Sequence, residues 1–126
     1  MGGKQFHIIN NFRNAFNGIF LLIREGKIFR VHLLIMTAVI VAGILFSIDK
    51  VEWLIVILTI GVVLAAEGFN TAIEKLCDHI SPDYHKSIKK VKDIAAAAVL
   101  LVSITAAVLG LLIFIPYLLE WLESLA

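Results

Sequence analysis

Three long apolar runs decide what this chain can fold into. Val31 to Ile48 is nearly free of charge, a second run opens at Trp53, and a third extends from about Ile94 to Ile115. About 20 apolar residues in a helix cross the ~30 Å hydrocarbon core of a bilayer. With 60% hydrophobic residues and a mean hydropathy of +0.96, 126 residues are too apolar for a soluble domain and long enough for about three spans. The expectation is a single all-α integral membrane domain over 1–126, with helices at about 5–24, 31–48, 53–79 and 86–119.

The second run carries the chemistry. Its uninterrupted part ends at Ala66, 14 residues from Trp53, which is short for a bilayer core. The helix must continue through Gly68, Phe69 and Ile73, and Glu67, Asn70, Glu74 and Asp78 then recur at spacings of three, four and four. At 3.6 residues per turn those four share one narrow face. Glu67 and Asn70 belong at the hydrocarbon edge, Glu74 and Asp78 nearer the headgroups. An ionised side chain at mid-membrane costs roughly 2.5–3.5 kcal/mol on insertion scales, so this face is not made for lipid tails. Clustered carboxylates raise one another's pKa unless a cation sits among them. Hard oxygen ligands suit Mg²⁺, which takes one or two carboxylates and completes its shell with phosphates and water. The plain alternative is a solvated helix end in a small membrane protein.

Before the first span, Ile9, Phe12, Phe16, Ile19 and Ile23 alternate at helical spacing with Asn10, Arg13, Asn14, Asn17 and Arg24. That pattern predicts an amphipathic helix lying in the membrane interface. Lys4, Arg13, Arg24 and Lys27 interrupt any signal-peptide core. His32, alone at the mouth of an apolar helix, reads as an interfacial hydrogen-bonding residue and is assigned no role. Ser81-Pro82 breaks the second span. The basic segment after it brings Lys86, Lys89, Lys90 and Lys92 back toward the acids. Ala96, Ser103, Ala107 and Gly110 form a small-residue face suited to close helix packing, and the third span is expected to stop near Pro116.

Ten of the eleven lysines and arginines lie before residue 31 or between 75 and 92, with Lys50 alone on the other side. The N-terminus and the acidic face are therefore expected in the cytoplasm, with Trp53, Tyr117 and Trp121 at the opposite interface. The single Cys77 leaves no disulfide framework and no thiolate zinc spacing. No Walker A or kinase Gly-rich loop is present, although phosphoryl transfer needs only positioning and charge stabilisation.

The block Glu67-Gly68-Phe69-Asn70-Thr71-Ala72-Ile73-Glu74, then Asp78, Asp83-Tyr84-His85 and Lys92-Asp93-Ile94-Ala95, resembles the prokaryotic diacylglycerol kinase family, which includes the undecaprenol kinases. The resemblance covers nearly the whole chain. It implies an ATP- and Mg²⁺-dependent lipid kinase of the bacterial inner membrane, a homotrimer of three-span subunits with sites shared between neighbours and no nucleic-acid partner. By the same resemblance Glu67 matches the catalytic base, Glu74 a metal ligand, and Asn70 and Asp78 polar support for the site. Asp83, Tyr84, His85, Lys92 and Asp93 match the nucleotide-contacting segment. The family's second metal-binding Glu falls on Gly26, so Glu25, the nearest acid, is assigned that place. ATP would then enter with its phosphates on Mg²⁺ at Glu74 and Glu25, Lys92 would offset phosphate charge, and Glu67 would orient or deprotonate the lipid hydroxyl. The competing expectations are a non-enzymatic accessory subunit and a proton-coupled transporter subunit. The latter would carry its carboxylates at mid-span rather than at one end.

Overall fold

The computed structural model describes residues 2–126, with side chains from Ile9 onward. Four helices follow one another: α1 (Gly2–Glu25), α2 (Lys27–Phe46), α3 (Lys50–Ile80) and α4 (Lys86–Glu123). The last three are long and apolar enough to cross a membrane. Their ends have local causes. Asp49 caps α3 by accepting from Val51 and Glu52, while the Glu52 carboxylate accepts from the Asp49 amide at 2.9 Å, a complete capping box. Ser81, just before Pro82, closes α3, and His85 opens α4 with its Nδ1 accepting from Ser87. Ser47 ends α2 in the left-handed region at φ 52°, so that Ile48 turns inward and is buried.

The third span was expected to stop near Pro116 within a helix of about 86–119, and α4 runs through Pro116 to Glu123. Proline removes one backbone donor, and membrane helices absorb that loss because neighbouring groups re-satisfy the freed carbonyl.

α3 is the central element, packed against both α2 and α4. The tightest packing lies at the end opposite the acids, where Ile48, Val56 and Ile113 are buried among Phe46, Trp53, Phe114 and Tyr117. Tyr117 donates to Glu52 across this end at 2.6 Å, and its ring stacks on Phe46 with centroids 6.2 Å apart. At the other end α1 meets α2 in a sharp elbow at Gly26. A side chain on Gly26 would bring its Cβ within 2.6 Å of the Leu22 carbonyl oxygen and 2.9 Å of Phe29 Cβ. Arg30 reaches back over the elbow and donates to the carbonyls of Ile23 and Arg24 at 3.1 and 2.8 Å. A cation on the last carbonyls of α1 complements the helix dipole and fixes the angle at which α1 leaves α2. Leu22 of α1 then lies against Gly68 of α3, one residue from Glu67.

Candidate functional site

The polar face of α3 is graded by depth. Glu67 is 4% exposed and Asn70 9%, Glu74 is half-buried, and the Asp78 side chain is 68% exposed. The inner members point into the molecule and not into acyl chains. Asn70 Nδ2 donates to Glu74 Oε1 at 3.1 Å, which couples the two residues across one helical turn. The other amide atom, Oδ1, is buried with no partner. A buried carbonyl oxygen of this kind is costly unless something supplies a donor or a cation. His32 of α2 lies within electrostatic reach of Glu67, as does Glu74.

Where the chain turns from α3 into α4, Asp78, Asp83, Tyr84, His85, Lys92 and Asp93 line a single cleft of about 360 Å³. Lys92 Nζ bonds Asp78 at 2.9 Å, and Lys89 Nζ bonds Asp93 at 2.6 Å. The basic stretch does return beside the acids.

The Glu25 carboxylate, assigned as a partner of Glu74, is held by the ammonium of Lys75, the residue next to Glu74. Among the described residues no group of three or more histidines, cysteines and acids gathers as a metal cluster. The Lys75 bond, foremost, holds the Glu25 carboxyl below its ordinary value of 4.5. A lowered carboxyl value stabilises the folded state above 4.5 and loses that contribution as pH falls through the lowered value. Hydrogen exchange at the last turn of α1, corrected for intrinsic rate, should therefore show the same protection at pH 6 and pH 8. It should drop at both pH values in Lys75→Met. Both groups are largely exposed, so the change is expected to stay within a few-fold.

Three participants escaped the sequence. His32 lines a groove with residues of α3 and α4, which shows only once the helices are packed. Lys75 looked like any lysine beside a polar face, and nothing short of the elbow geometry reveals the Arg30 clamp. The only available signal was Gly26, a helix breaker between two helical patterns.

Known proteins share this chain's pattern. The family model described as prokaryotic diacylglycerol kinase matches residues 13–114. The undecaprenol kinase of Bacillus subtilis (strain 168) is similar at 37% identity over 106 residues, covering 84% of this chain and 86% of that protein. The diacylglycerol kinase of a Synechocystis species is similar at 33% identity over 115 residues, covering 90% of this chain and 66% of its own length. The buried Glu67, the Asn70–Glu74 pair and the Lys92 cleft all fall inside the stretch matched by the family model, and the chain belongs to the prokaryotic diacylglycerol kinase family.

Proposed function

We propose that the protein is a membrane lipid kinase that moves the γ-phosphate of ATP to the hydroxyl of a lipid alcohol, diacylglycerol or undecaprenol. The observation that carries this is the inward-turned Glu67, buried at the end of an apolar segment and one helical turn from the Asn70–Glu74 pair. Membership in a kinase family supports ATP as donor, and the names of the relatives support the two acceptors. The accessory-subunit and transporter alternatives are not favoured.

The donor atoms fit Mg²⁺. Glu74 offers a carboxylate, and Asn70 offers an amide oxygen that is buried and otherwise unpartnered. That set is all oxygen and few in number, as Mg²⁺ prefers. Glu74 and Asn70 would hold the ion, with Glu25 joining once released from Lys75. When bound, Mg²⁺ supplies charge neutralisation at the phosphates. The chain's own residues do the rest. Asp78, Asp83, Tyr84, His85, Lys92 and Asp93 receive the nucleotide in their cleft, and Lys92 trades Asp78 for a phosphate oxygen. Glu67 accepts the proton of the lipid hydroxyl as that oxygen bonds to the γ-phosphorus and the bond to the β–γ bridging oxygen breaks, releasing ADP.

The surface of a single chain supports assembly: Leu34, Leu45, Leu58 and Leu112 are all exposed, and the three spans bury little among themselves. A homotrimer would cover part of those surfaces and lipid the rest, with α1 lying in the cytoplasmic interface of the inner membrane through Phe12, Phe16 and Phe20. The lysine and arginine distribution supports a cytoplasmic N-terminus and site.

Purified protein given labelled ATP, Mg²⁺ and a panel of lipid alcohols should send label into the organic phase. Failure of every lipid in the panel to take up label removes the assignment. Within the same assay, Lys92→Met should raise KM for ATP about tenfold, since a hydrogen bond to a charged group contributes about 1.5–3 kcal/mol. KM for the lipid should not move.

A further inference from the structure

Ile9, Phe12, Phe16, Ile19, Phe20 and Ile23 of α1 are all exposed. At 3.6 residues per turn they fall within an arc of about 100°, one continuous stripe of phenyl rings and branched aliphatic groups. Most of the remaining circumference is polar and almost uncharged. Asn10, Asn11, Asn14 and Asn17 are exposed on it, and Arg13 is the one charged residue between Ile9 and Ile23.

The place of α1 decides what covers the stripe. α2 has 20 residues, about 30 Å of helix, which matches the hydrocarbon layer and puts Gly26 at its edge. Three contacts hold α1 at that level: Arg30 on the Ile23 and Arg24 carbonyls, Lys75 on the Glu25 carboxylate, and Leu22 against Gly68 of α3. Leu22 lies about 110° around the helix from the middle of the stripe. With that edge on α3, the stripe faces sideways from the bundle, where the spans already stand in lipid.

We infer that this stripe recognises a lipid surface by its packing gaps, the spaces left among headgroups where small-headed lipids are abundant, and not by anionic headgroups. An interfacial helix binds through buried apolar area and through attraction of its basic residues to anionic lipid. The rings of Phe12, Phe16 and Phe20 need room between headgroups, and a single arginine supplies little of the second attraction. A lysine-rich polar face would hold the helix on any anionic surface, whereas an asparagine face leaves the gaps in control.

The preference suits the proposed reaction. Diacylglycerol and undecaprenol each present only a hydroxyl as headgroup and so open gaps, while their phosphorylated products are anionic and larger-headed. Leu22 meets α3 one residue from Glu67, so α1 would seat most firmly beside the site where acceptor is plentiful. That consequence rests on the lipid-kinase reading, and the recognition itself does not.

Amide hydrogen exchange over residues 9–23 of the full chain in vesicles without ATP tests the recognition. Replacing about a third of dioleoylphosphatidylcholine with dioleoylphosphatidylethanolamine, which is small-headed and carries no hydroxyl, should slow exchange about fivefold. The same share of dioleoylphosphatidylserine should change it less than about twofold. Phe16→Asn alters a ring that is already exposed and should abolish the phosphatidylethanolamine response. Asn14→Lys combined with Asn17→Lys should acquire a phosphatidylserine response. Lipid phosphorylation should rise with phosphatidylethanolamine in the wild type and stay flat in Phe16→Asn. Wild-type exchange that ignores phosphatidylethanolamine overturns the inference, as does protection that follows phosphatidylserine. Protection that is equal in detergent and in every vesicle, and is lost in Phe16→Asn together with the oligomer, also overturns it and makes the stripe a contact between copies. Exchange that follows phosphatidylethanolamine where no lipid is phosphorylated removes the kinase assignment and leaves the recognition standing.

Discussion

Glu67→Gln should lose lipid phosphorylation by about 10²–10⁴-fold in kcat, the range that positioned general-base catalysis contributes. The substitution keeps shape and removes only the ability to take a proton. Glu67 is 4% exposed, and no protein hydrogen bond or ion pair reaches its carboxylate among the described residues. An unpartnered buried acid is a structural liability, so its neutral isostere should melt at the same temperature or higher. KM for ATP and the size of the oligomer should be unchanged, because Glu67 touches neither the Lys92 cleft nor an exposed face. Label transfer to lipid and thermal unfolding by circular dichroism measure the two halves. A variant that keeps more than a tenth of wild-type activity would take Glu67 out of the chemistry. A variant that is inactive because it unfolds would show Glu67 to be structural.

The contrast between Glu67 and its helical neighbour would let one acidic face hold the two roles proposed for it. Environments that differ between paired carboxylates separate their functions. Glu67 is enclosed, whereas Glu74 is half-buried, bonded by Asn70 and closer to the charged cleft. The gradient runs along a single helix face, from the enclosed Glu67 to the exposed Asp78.

Much of this is legible along the chain. Spacing alone aligns Glu67, Asn70, Glu74 and Asp78, because helical periodicity is a local property, and Ser81-Pro82 marks the turn for the same reason. The extent of α4 is not, since whether Pro116 ends a helix depends on what surrounds it. The small residues of α4 are ambiguous too: the same pattern permits a tight helix contact or an open slot, and only the placement of α2 decides. Glu25 shows the limit most clearly. Counting residues from His32 puts the matching acid at Gly26, but the elbow has no room for a side chain there, and the neighbouring carboxylate goes to Lys75. Long-range partners of that sort, 50 residues apart, leave no periodic trace.

Glu74→Gln should be as damaging as Glu67→Gln, through a different route. The Asn70 amide bonds Glu74 Oε1 and leaves its own Oδ1 buried without a partner. Replacing the carboxylate removes the only full negative charge of that pair. A bound cation contributes several kcal/mol of charge stabilisation in phosphoryl transfer, so the expected loss in kcat/KM is about 10²–10³-fold. Unlike Glu67→Gln, the variant should also lose Mn²⁺ binding as read by electron paramagnetic resonance, and raising Mg²⁺ should restore part of the rate. Glu25→Gln should fall less than about tenfold, because the exposed Glu25 carboxylate is already answered by Lys75. If instead Glu25→Gln abolishes Mn²⁺ binding and Glu74→Gln leaves it intact, the elbow carries the principal ligand. Lys75 would then be the ammonium a divalent ion has to displace, and Lys75→Met should tighten Mn²⁺ binding rather than merely loosen α1.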